Sequence, residues 1–522
     1  MFAPTAGSFS FNSSSGYGSG KAQYLIPTEA WNYAQTVMNN SSYNPNYNTV
    51  LAKDGITPVS TSNPHLMNGQ KANFAPRIGF AWSADAKTSV RAGFGLFFGG
   101  LESTGYWPNL GENYPFQFTG TFNPASCGTN LCPTDGLTIA NGYTAIINAG
   151  FASNTTGLTM RGAEINPKTP YTESWNLSAE RSISADMVAT VGYVGNTGRH
   201  IIALVDANSP LAAAAPGQGS QNNRPFPDAG GSSNQVNGGM SDYNALQAKI
   251  EKRMSHGYNL LATYTWSHSI DDVDTPLGST GDSGNINYYL VPLRFDYSQS
   301  PWDTRQRLTF NGLYDLPFGR GRQFLNNSAV ADAIVGGWSA NAMFTAQSGN
   351  YFTVYTNNIS TPDNIGSRAL LTGDPYAGGG SAPTNNSSIS CPSSVRNHDH
   401  WFNPCAFQNP WNAASNGDHP LTAGNYVTDP ATILSYVGGR RGQIAGPGYN
   451  RVNMSIFKDF RIYREQKLNF RADIFNVLNT PALANPNDTN INDNAGQITG
   501  TRSLQSHAPD SRFFQLSLKY AF

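Results

Sequence analysis

The last residues of the chain alternate strictly between apolar and other side chains. Phe514, Leu516, Leu518, Tyr520 and Phe522 occupy alternate positions, with glutamine, serine, lysine and alanine between them. Because successive side chains of a strand point to opposite faces, this pattern predicts a β-strand with one apolar face. A strand of about 9–11 residues spans a bilayer, and a closed barrel is the only sheet that a membrane tolerates. The sequence therefore predicts a membrane-spanning strand, with an edge strand of a soluble sheet as the alternative.

The same alternation recurs in five pairs of segments, each predicted to be a hairpin. Their apolar sets begin at Ile78 and Val90, Trp175 and Met187, Leu246 and Leu260, Leu308 and Trp338, and Val452 and Leu468. Together with the final strand they give about eleven strands. Arginine and glycine in the first hairpin lie between the apolar positions, as expected for the lining of a polar lumen.

The connections alternate in length. Those within the hairpins are mostly short, whereas those between hairpins are long; they span 99–170, 205–241, 270–302, 349–448 and 479–510. Structureless loops beyond about 12–15 residues are uncommon in compact soluble domains. Short periplasmic turns and long extracellular loops are the rule in outer-membrane barrels. We therefore predict an all-β fold, a transmembrane antiparallel β-barrel over 74–522, preceded by a loop-rich segment over 1–73.

The composition agrees with a barrel wall. Charged residues make up 12% of the chain, about half of the ~25% usual in soluble domains, and the mean hydropathy is nevertheless −0.40. The net charge of −1 gives no basic surface for nucleic acid. No apolar run reaches the ~18 residues of a transmembrane helix, and no signal peptide is recognisable at Met1. Since complete bacterial barrels have even strand numbers, we expect these strands to be the C-terminal part of a larger barrel of twenty-two strands.

The four cysteines form two close pairs in predicted loops, Cys127 with Cys132 and Cys391 with Cys405. Two local disulfides in an oxidising compartment fit this arrangement. Zinc is the alternative, but structural zinc usually takes four ligands at CxxC-type spacings. Both pairs fall in the long-loop set and are predicted to lie outside the cell.

No segment predicts catalysis, and no cofactor is expected. The stretch 281–284, Gly-Asp-Ser-Gly, resembles the nucleophile turn of trypsin-like proteases, but no partner histidine motif precedes it. Asp271, Asp272 and Asp274 offer oxygen ligands for Ca²⁺ without an EF-hand spacing, so a solvated turn is favoured. The stretch 398–400, His-Asp-His, offers too few ligands for a metal and is interpreted as a surface cluster. We therefore expect no enzyme.

Six stretches share a family pattern in the order in which they occur. They are Phe74–Trp82, Tyr243–Lys249, Tyr264–Asp272, Leu313–Gly319, Gly446–Gly448 and Phe470–Asn479. Together they resemble the Oar-like group of TonB-dependent outer-membrane receptors. The resemblance implies a twenty-two-stranded barrel with an N-terminal plug. The plug, the TonB box and the signal peptide are expected upstream of this chain.

The resemblance also implies partners and a function. We expect outer-membrane lipid around the wall, the barrel-assembly machinery at the C-terminal strand, an extracellular solute, and TonB only through the upstream parts. The function would be uptake of a bulky, scarce solute across the outer membrane, of carbohydrate, siderophore or peptide type. A passive outer-membrane porin and a secreted β-rich adhesin or lectin remain the alternatives.

Two sets of side chains are candidates for functional contacts. Arg77, Arg91 and Arg471 are predicted to face the lumen, where guanidinium groups can bind carboxylates of the plug or an anionic cargo; plug docking is favoured. Aromatic residues near the strand ends are predicted to lie at the membrane interfaces. These are Trp82, Trp266, Trp338, Tyr520 and Phe522.

Overall fold

The computed structural model describes residues 8–11, 22–39, 47–99, 110–116, 160–208, 226–230, 232–273, 293–325, 329–356, 368–383, 388–408, 439–463, 466–502 and 510–522. Its main feature is one antiparallel path of eleven strands. In chain order these are β4 (Arg77–Asp85), β5 (Thr88–Phe98), β7 (Tyr171–Ser182), β8 (Met187–Val205), β9 (Ser232–Ser255), β10 (Tyr258–Asp271), β12 (Gln306–Asp315), β13 (Trp338–Gln347), β18 (Tyr449–Tyr463), β19 (Gln466–Phe475) and β20 (Phe513–Ala521). Each strand pairs with its neighbours in this sequence, so the predicted strand number and order are confirmed.

The register places the apolar side chains on one face of the sheet. Across the middle of the wall, Ala262 is opposite Phe310, Phe310 is opposite Phe344, and Phe344 is opposite Val452. At the last pair, Ala472 is opposite Leu516. Many residues of this apolar face are exposed to the surroundings, and Leu516 keeps 68% of its surface. A continuous exposed apolar band of this extent is what a wall in contact with lipid requires.

The turns at one end of the sheet are short, except for the β12–β13 connection, which contains a helix. The β9–β10 hairpin turns through His256 and Gly257, whose φ angles of 51° and 81° suit a tight two-residue turn. At the other end the strands continue into the long connections. There β8 and β9 run well beyond their neighbours and remain paired from Gly198 with Ser241 to Val205 with Asn234. The sequence prediction had placed this stretch of β9 in a loop.

The segment 1–73, predicted to be loop-rich, has secondary structure in its described part. It contains β1 (Ser8–Phe11), β2 (Ala22–Pro27), β3 (Ile56–Thr61) and the helices α1 (Thr28–Met38) and α2 (Tyr47–Lys53). We call this the N-terminal unit. Its buried residues pack with Tyr114, Met160 and Phe226 from distant connections. Because these partners are remote in sequence, the short apolar runs of the unit show no local period, and the prediction was wrong.

A second cluster of packed residues lies in the connections that follow β13 and β19. We call the described parts of 351–445 and 476–502 the loop cap. Its buried residues are Val354, Ala369, Phe402, Ala406, Phe407, Ile444, Ile491 and Ala495. The structure joins Cys391 to Cys405 in this region by a disulfide.

Shorter elements complete the described part. The helix α3 (Ala329–Val335) lies in the turn between β12 and β13, and 3₁₀ helices span Leu110–Glu112, Leu293–Asp296 and Pro404–Ala406. The small strands are β6 (Met160–Ala163), β11 (Ser298–Gln299), β14 (Tyr351–Phe352), β15 (Leu370–Leu371), β16 (Phe407–Gln408) and β17 (Ile444–Ala445). None of the described helices is long and apolar enough to cross a membrane.

Candidate functional site

The polar face of the sheet carries the three arginines that the sequence singled out. Arg77 is opposite Gly95, and Arg91 is opposite Ala81 and Ser178. The guanidinium carbon of Arg77 lies 4.7 Å from the centre of the Phe97 ring. Arg77 is on β4 and Arg91 is on β5, at one end of the strand order, whereas Arg471 is on β19, near the other end. Within the described sheet the three therefore do not form one cluster.

Arg471 is already engaged by its own wall. Its Nη2 lies 2.8 Å from Oδ1 of Asp473 and donates a hydrogen bond of 3.1 Å to Oγ of Ser455. Ser455 and Asp473 are directly opposite each other on β18 and β19. This arrangement neutralises the guanidinium, so a plug or cargo carboxylate would have to compete with Asp473. Its predicted role in plug or cargo contact stays a prediction.

A cavity of about 460 Å³ lies on the polar face near the long-loop end. Its volume falls in the range of small-molecule sites. Strands β9, β10, β12 and β13 and the segment before β12 line it. The lining residues are Tyr243, Gln247, Thr265, Ser267, Ser269, Trp302, Thr304, Arg307 and Gln347. We call this the rim cavity.

The wall itself positions the segment that closes one side of the rim cavity. Ser267 donates its hydroxyl to the carbonyl of Thr304 at 2.6 Å. The backbone N–H of Ser269 donates to Oδ1 of Asp303 at 2.8 Å, and Asp303 is buried. These bonds hold the chain after Trp302, and the backbone N–H of Ser300 donates to the carbonyl of Ser269 at 3.1 Å before it. Trp302 itself is 67% exposed. An exposed tryptophan held by a rigid backbone provides a flat contact surface at little cost in conformational entropy.

Arg307 contributes the charge of the rim cavity. It lies on β12 opposite Thr265 and Gln347, and its side chain is exposed. The remaining lining is uncharged: hydroxyls, amides and aromatic rings. Such a set can donate and accept hydrogen bonds to a polyhydroxylated solute, while the planar guanidinium suits an anionic group.

Buried ion pairs connect the loop cap to the wall beside the rim cavity. Nη2 of Arg441 lies 2.6 Å from Oδ1 of Asp271 at the end of β10, and both side chains are buried. Arg368 pairs with Asp296, also buried on both sides. Each pair joins an arginine of the loop cap to an aspartate beside the wall. Removing one partner of such a pair is strongly destabilising because it leaves an uncompensated buried charge.

Asp272 lies next to these pairs. Its Oδ1 accepts a hydrogen bond of 2.6 Å from the backbone N–H of Met240. Burial raises the pKa of its carboxyl to about 7, and the nearby carboxylates of Asp296 and Asp271 act in the same direction. The hydrogen bond from Met240 and the charge of Arg441 oppose this shift. Asp272 is therefore mostly protonated at mildly acidic pH in the folded protein. The solvated turn predicted here was wrong, since these aspartates are buried by a distant loop.

The other candidates of the sequence are placed as follows. His398 and Asp399 are exposed, with 3.5 Å between Nε2 and Oδ1, and no group of three metal-ligating side chains occurs among the described residues. The stretch 281–284, Asp274, Cys127 and Cys132 lie outside the described residues.

The aromatic candidates lie on the apolar face. Trp82 and Trp266 are more than half exposed, and Tyr520 and Phe522 are exposed on and after the last strand. Trp338 packs edge-on against Phe460 of β18 and Phe470 of β19, at 6.4 Å and 6.0 Å between ring centres. Their role at a membrane interface remains a prediction.

The sequence prediction missed Trp302 and Arg307. Arg307 alternates with Leu308 in a predicted strand and could have been assigned to the polar face. Trp302 follows a long connection without a period, so only the bonds of the adjacent Asp303 and Thr304 with β10 reveal its position.

An eleven-stranded wall with one apolar and one polar face, short turns at one end and long loops at the other defines a membrane β-barrel protein. Residues 24–515 match the family model described as "Outer membrane beta barrel domain". The chain belongs to this family and is a protein of the Gram-negative outer membrane. Its short turns accordingly face the periplasm, its long loops the outside, and its polar face the lumen.

Solved structures of outer-membrane proteins are similar to this chain. The pyoverdine receptor FpvA of Pseudomonas aeruginosa is 10% identical over 86% of the chain, with a TM-score of 0.36. YddB, an outer-membrane transporter of Escherichia coli, is 11% identical over 85%, with a TM-score of 0.37. The chain covers 36% and 40% of these two proteins. The family assignment rests on the family model rather than on these neighbours. A comparison with curated proteins found no match.

Proposed function

We propose that this chain forms the C-terminal wall of a TonB-dependent receptor that takes up a bulky polar solute, and that the rim cavity is a contact site for this cargo. The observation that carries the proposal is the exposed Trp302 beside Arg307 on the lumenal face at the extracellular end. No covalent chemistry is involved. Energy would come from TonB through parts of the protein upstream of this chain.

The chemistry of the rim cavity supports one cargo class over the others. Apart from Arg307, hydroxyl, amide and aromatic groups line it, and these groups bind sugar hydroxyls and the apolar faces of sugar rings. The one arginine favours a carboxylated or phosphorylated ring system. We therefore propose an oligosaccharide with an acidic group as cargo, with peptide and siderophore as the competing classes.

The test is tryptophan fluorescence of the purified full-length receptor in detergent. The probes are acidic oligosaccharides from a polysaccharide hydrolysate, a tryptic peptide digest and a ferric catecholate. We expect the oligosaccharides to change the emission of the wild type and of Trp266→Phe. The change should be lost in Trp302→Phe, and the apparent affinity should fall in Arg307→Gln.

Trp266→Phe is the matched control because Trp266 lies on the apolar face of β10, one residue from the lumenal Ser267. A response that survives in Trp302→Phe would contradict the rim cavity as the contact site. Binding of the peptide digest or the catecholate alone would contradict the proposed cargo class. Uptake by cells that is unchanged without TonB would favour the passive pore.

A further inference from the structure

The periplasmic turn between β12 and β13 carries a helix with an exposed apolar side. Val330 and Ile334 of α3 are 71% and 64% exposed. Residues four apart lie on the same side of a helix, so these two side chains form one apolar stripe. Trp338, a further four residues along the chain, begins β13. A polar turn would be enough to connect two strands, so the exposed apolar side chains of α3 indicate that the helix contacts an apolar partner.

Two side chains of the wall hold the C-terminal end of α3. Nζ of Lys458 donates to the carbonyl of Ala333 at 2.6 Å, and Nε1 of Trp338 donates to the carbonyl of Ile334 at 2.8 Å. A lysine at this end of a helix also interacts favourably with the helix dipole. The position of α3 is therefore set by contacts with the wall.

Both of these side chains belong to the apolar face of the barrel. Lys458 and Trp338 are opposite each other on β18 and β13, in the alternate positions that continue to Ala340 and Ile456. The indole of Trp338 packs against Phe460 and Phe470, and Nζ of Lys458 lies 4.7 Å from the centre of the Phe460 ring. The end of α3 is thus attached to the lipid-facing side of the wall and not to its lumenal side.

We propose that α3 is a membrane-surface helix that inserts Val330 and Ile334 into the phospholipids of the periplasmic leaflet. The stripe lies beside the apolar band of the barrel, because Trp338, which donates to the carbonyl of Ile334, belongs to that band. Arg320, exposed in the same turn, offers positive charge for phosphate headgroups. Arg322 is paired with Asp315 at 3.3 Å. The inference does not depend on the identity of the cargo or on the rim cavity.

The experiment places a polarity-sensitive fluorophore on Ile334→Cys. The matched control is Ala185→Cys, an exposed position in the short periplasmic turn between β7 and β8. Both full-length variants are reconstituted into vesicles of phosphatidylethanolamine and phosphatidylglycerol. Iodide, present on both sides of the bilayer, quenches probes in water, and spin-labelled lipids quench probes in the bilayer. Circular dichroism verifies the barrel in each variant.

We expect the probe at residue 334 to be severalfold less sensitive to iodide than the probe at residue 185, and severalfold more sensitive to the spin-labelled lipids. Equal iodide quenching at the two positions would overturn the proposal and leave a periplasmic protein as the partner of the stripe. A second measurement uses the same probe at residue 334 in a protein that also carries Val330→Ser. This second substitution should increase iodide quenching at residue 334, and an unchanged value would also overturn the proposal.

Discussion

The wall and the loop cap meet at the extracellular rim and are stabilised in different ways. The wall is held together by backbone pairing between neighbouring strands, and its alternation of apolar and polar side chains repeats across eleven strands. The loop cap uses a small apolar cluster, a disulfide and buried ion pairs between residues far apart in the chain. Arg441 and Asp271, for example, are separated by 170 positions. The effect of a substitution in the wall should therefore depend on the face of the sheet that carries the residue. In the loop cap it should depend on the distant residue that the side chain contacts.

The largest effect is expected for Arg441→Met. The change leaves Asp271 buried without its partner, beside Asp272. Breaking such a pair costs about 3–5 kcal/mol, which should appear as faster hydrogen exchange in the loop cap while the strands of the wall stay protected. The adjacent Arg440 is exposed, so Arg440→Met is the control and should behave like the wild type. Equal exchange in the two variants would contradict the anchoring role of the pair.

A somewhat smaller effect is expected for an arginine on the apolar face of the last strand. Leu516→Arg should destabilise the barrel by about 2–4 kcal/mol because the charge enters the bilayer near its middle. Ser517→Arg, one residue further and on the lumenal face opposite Arg471, should cost much less. Guanidinium unfolding of the protein in vesicles measures both. A reversed order would mean that the two faces of the wall are assigned the wrong way round.

The smallest effect concerns pH and Asp272. The folded state raises the pKa of its carboxyl to about 7 from an ordinary value of 3.8, so the folded protein binds more protons between these values than the unfolded chain does. Stability therefore falls as the pH rises through this range. With a pKa of about 7 in the folded state, we expect a loss of about 2–3 kcal/mol between pH 5 and pH 8. Limited proteolysis of the loop cap at the two pH values measures it.

Asp272→Asn provides the control for this pH effect. The amide has nearly the same shape and does not titrate, so the difference in proteolysis between the two pH values should shrink. A difference of the same size in Asp272→Asn would assign the pH dependence to another group.

The sequence was informative where the structure depends on near neighbours. The face of the sheet on which Leu516 and Ile78 lie could be predicted from the apolar residues two positions away. For this reason the strands of the wall and their number were predicted correctly. Tyr24 of the N-terminal unit is buried and donates a hydrogen bond of 2.7 Å to the carbonyl of Tyr114. No pattern near Tyr24 in the sequence indicates this partner. Trp302 was missed for the same reason.

The extra length of β8 and β9 sets a distance outside the cell. Their pairing from Gly198 to Val205 adds about 25 Å along the strand direction at about 3.3 Å per residue. We call this paired extension of β8 and β9 the stalk. Near its tip β6 pairs with β9 through Met160 and Ser232, and Met160 packs in the core of the N-terminal unit. The N-terminal unit therefore stands off from the rim. A partner that binds the N-terminal unit is therefore expected about 25 Å outward of the rim at which Trp302 lies.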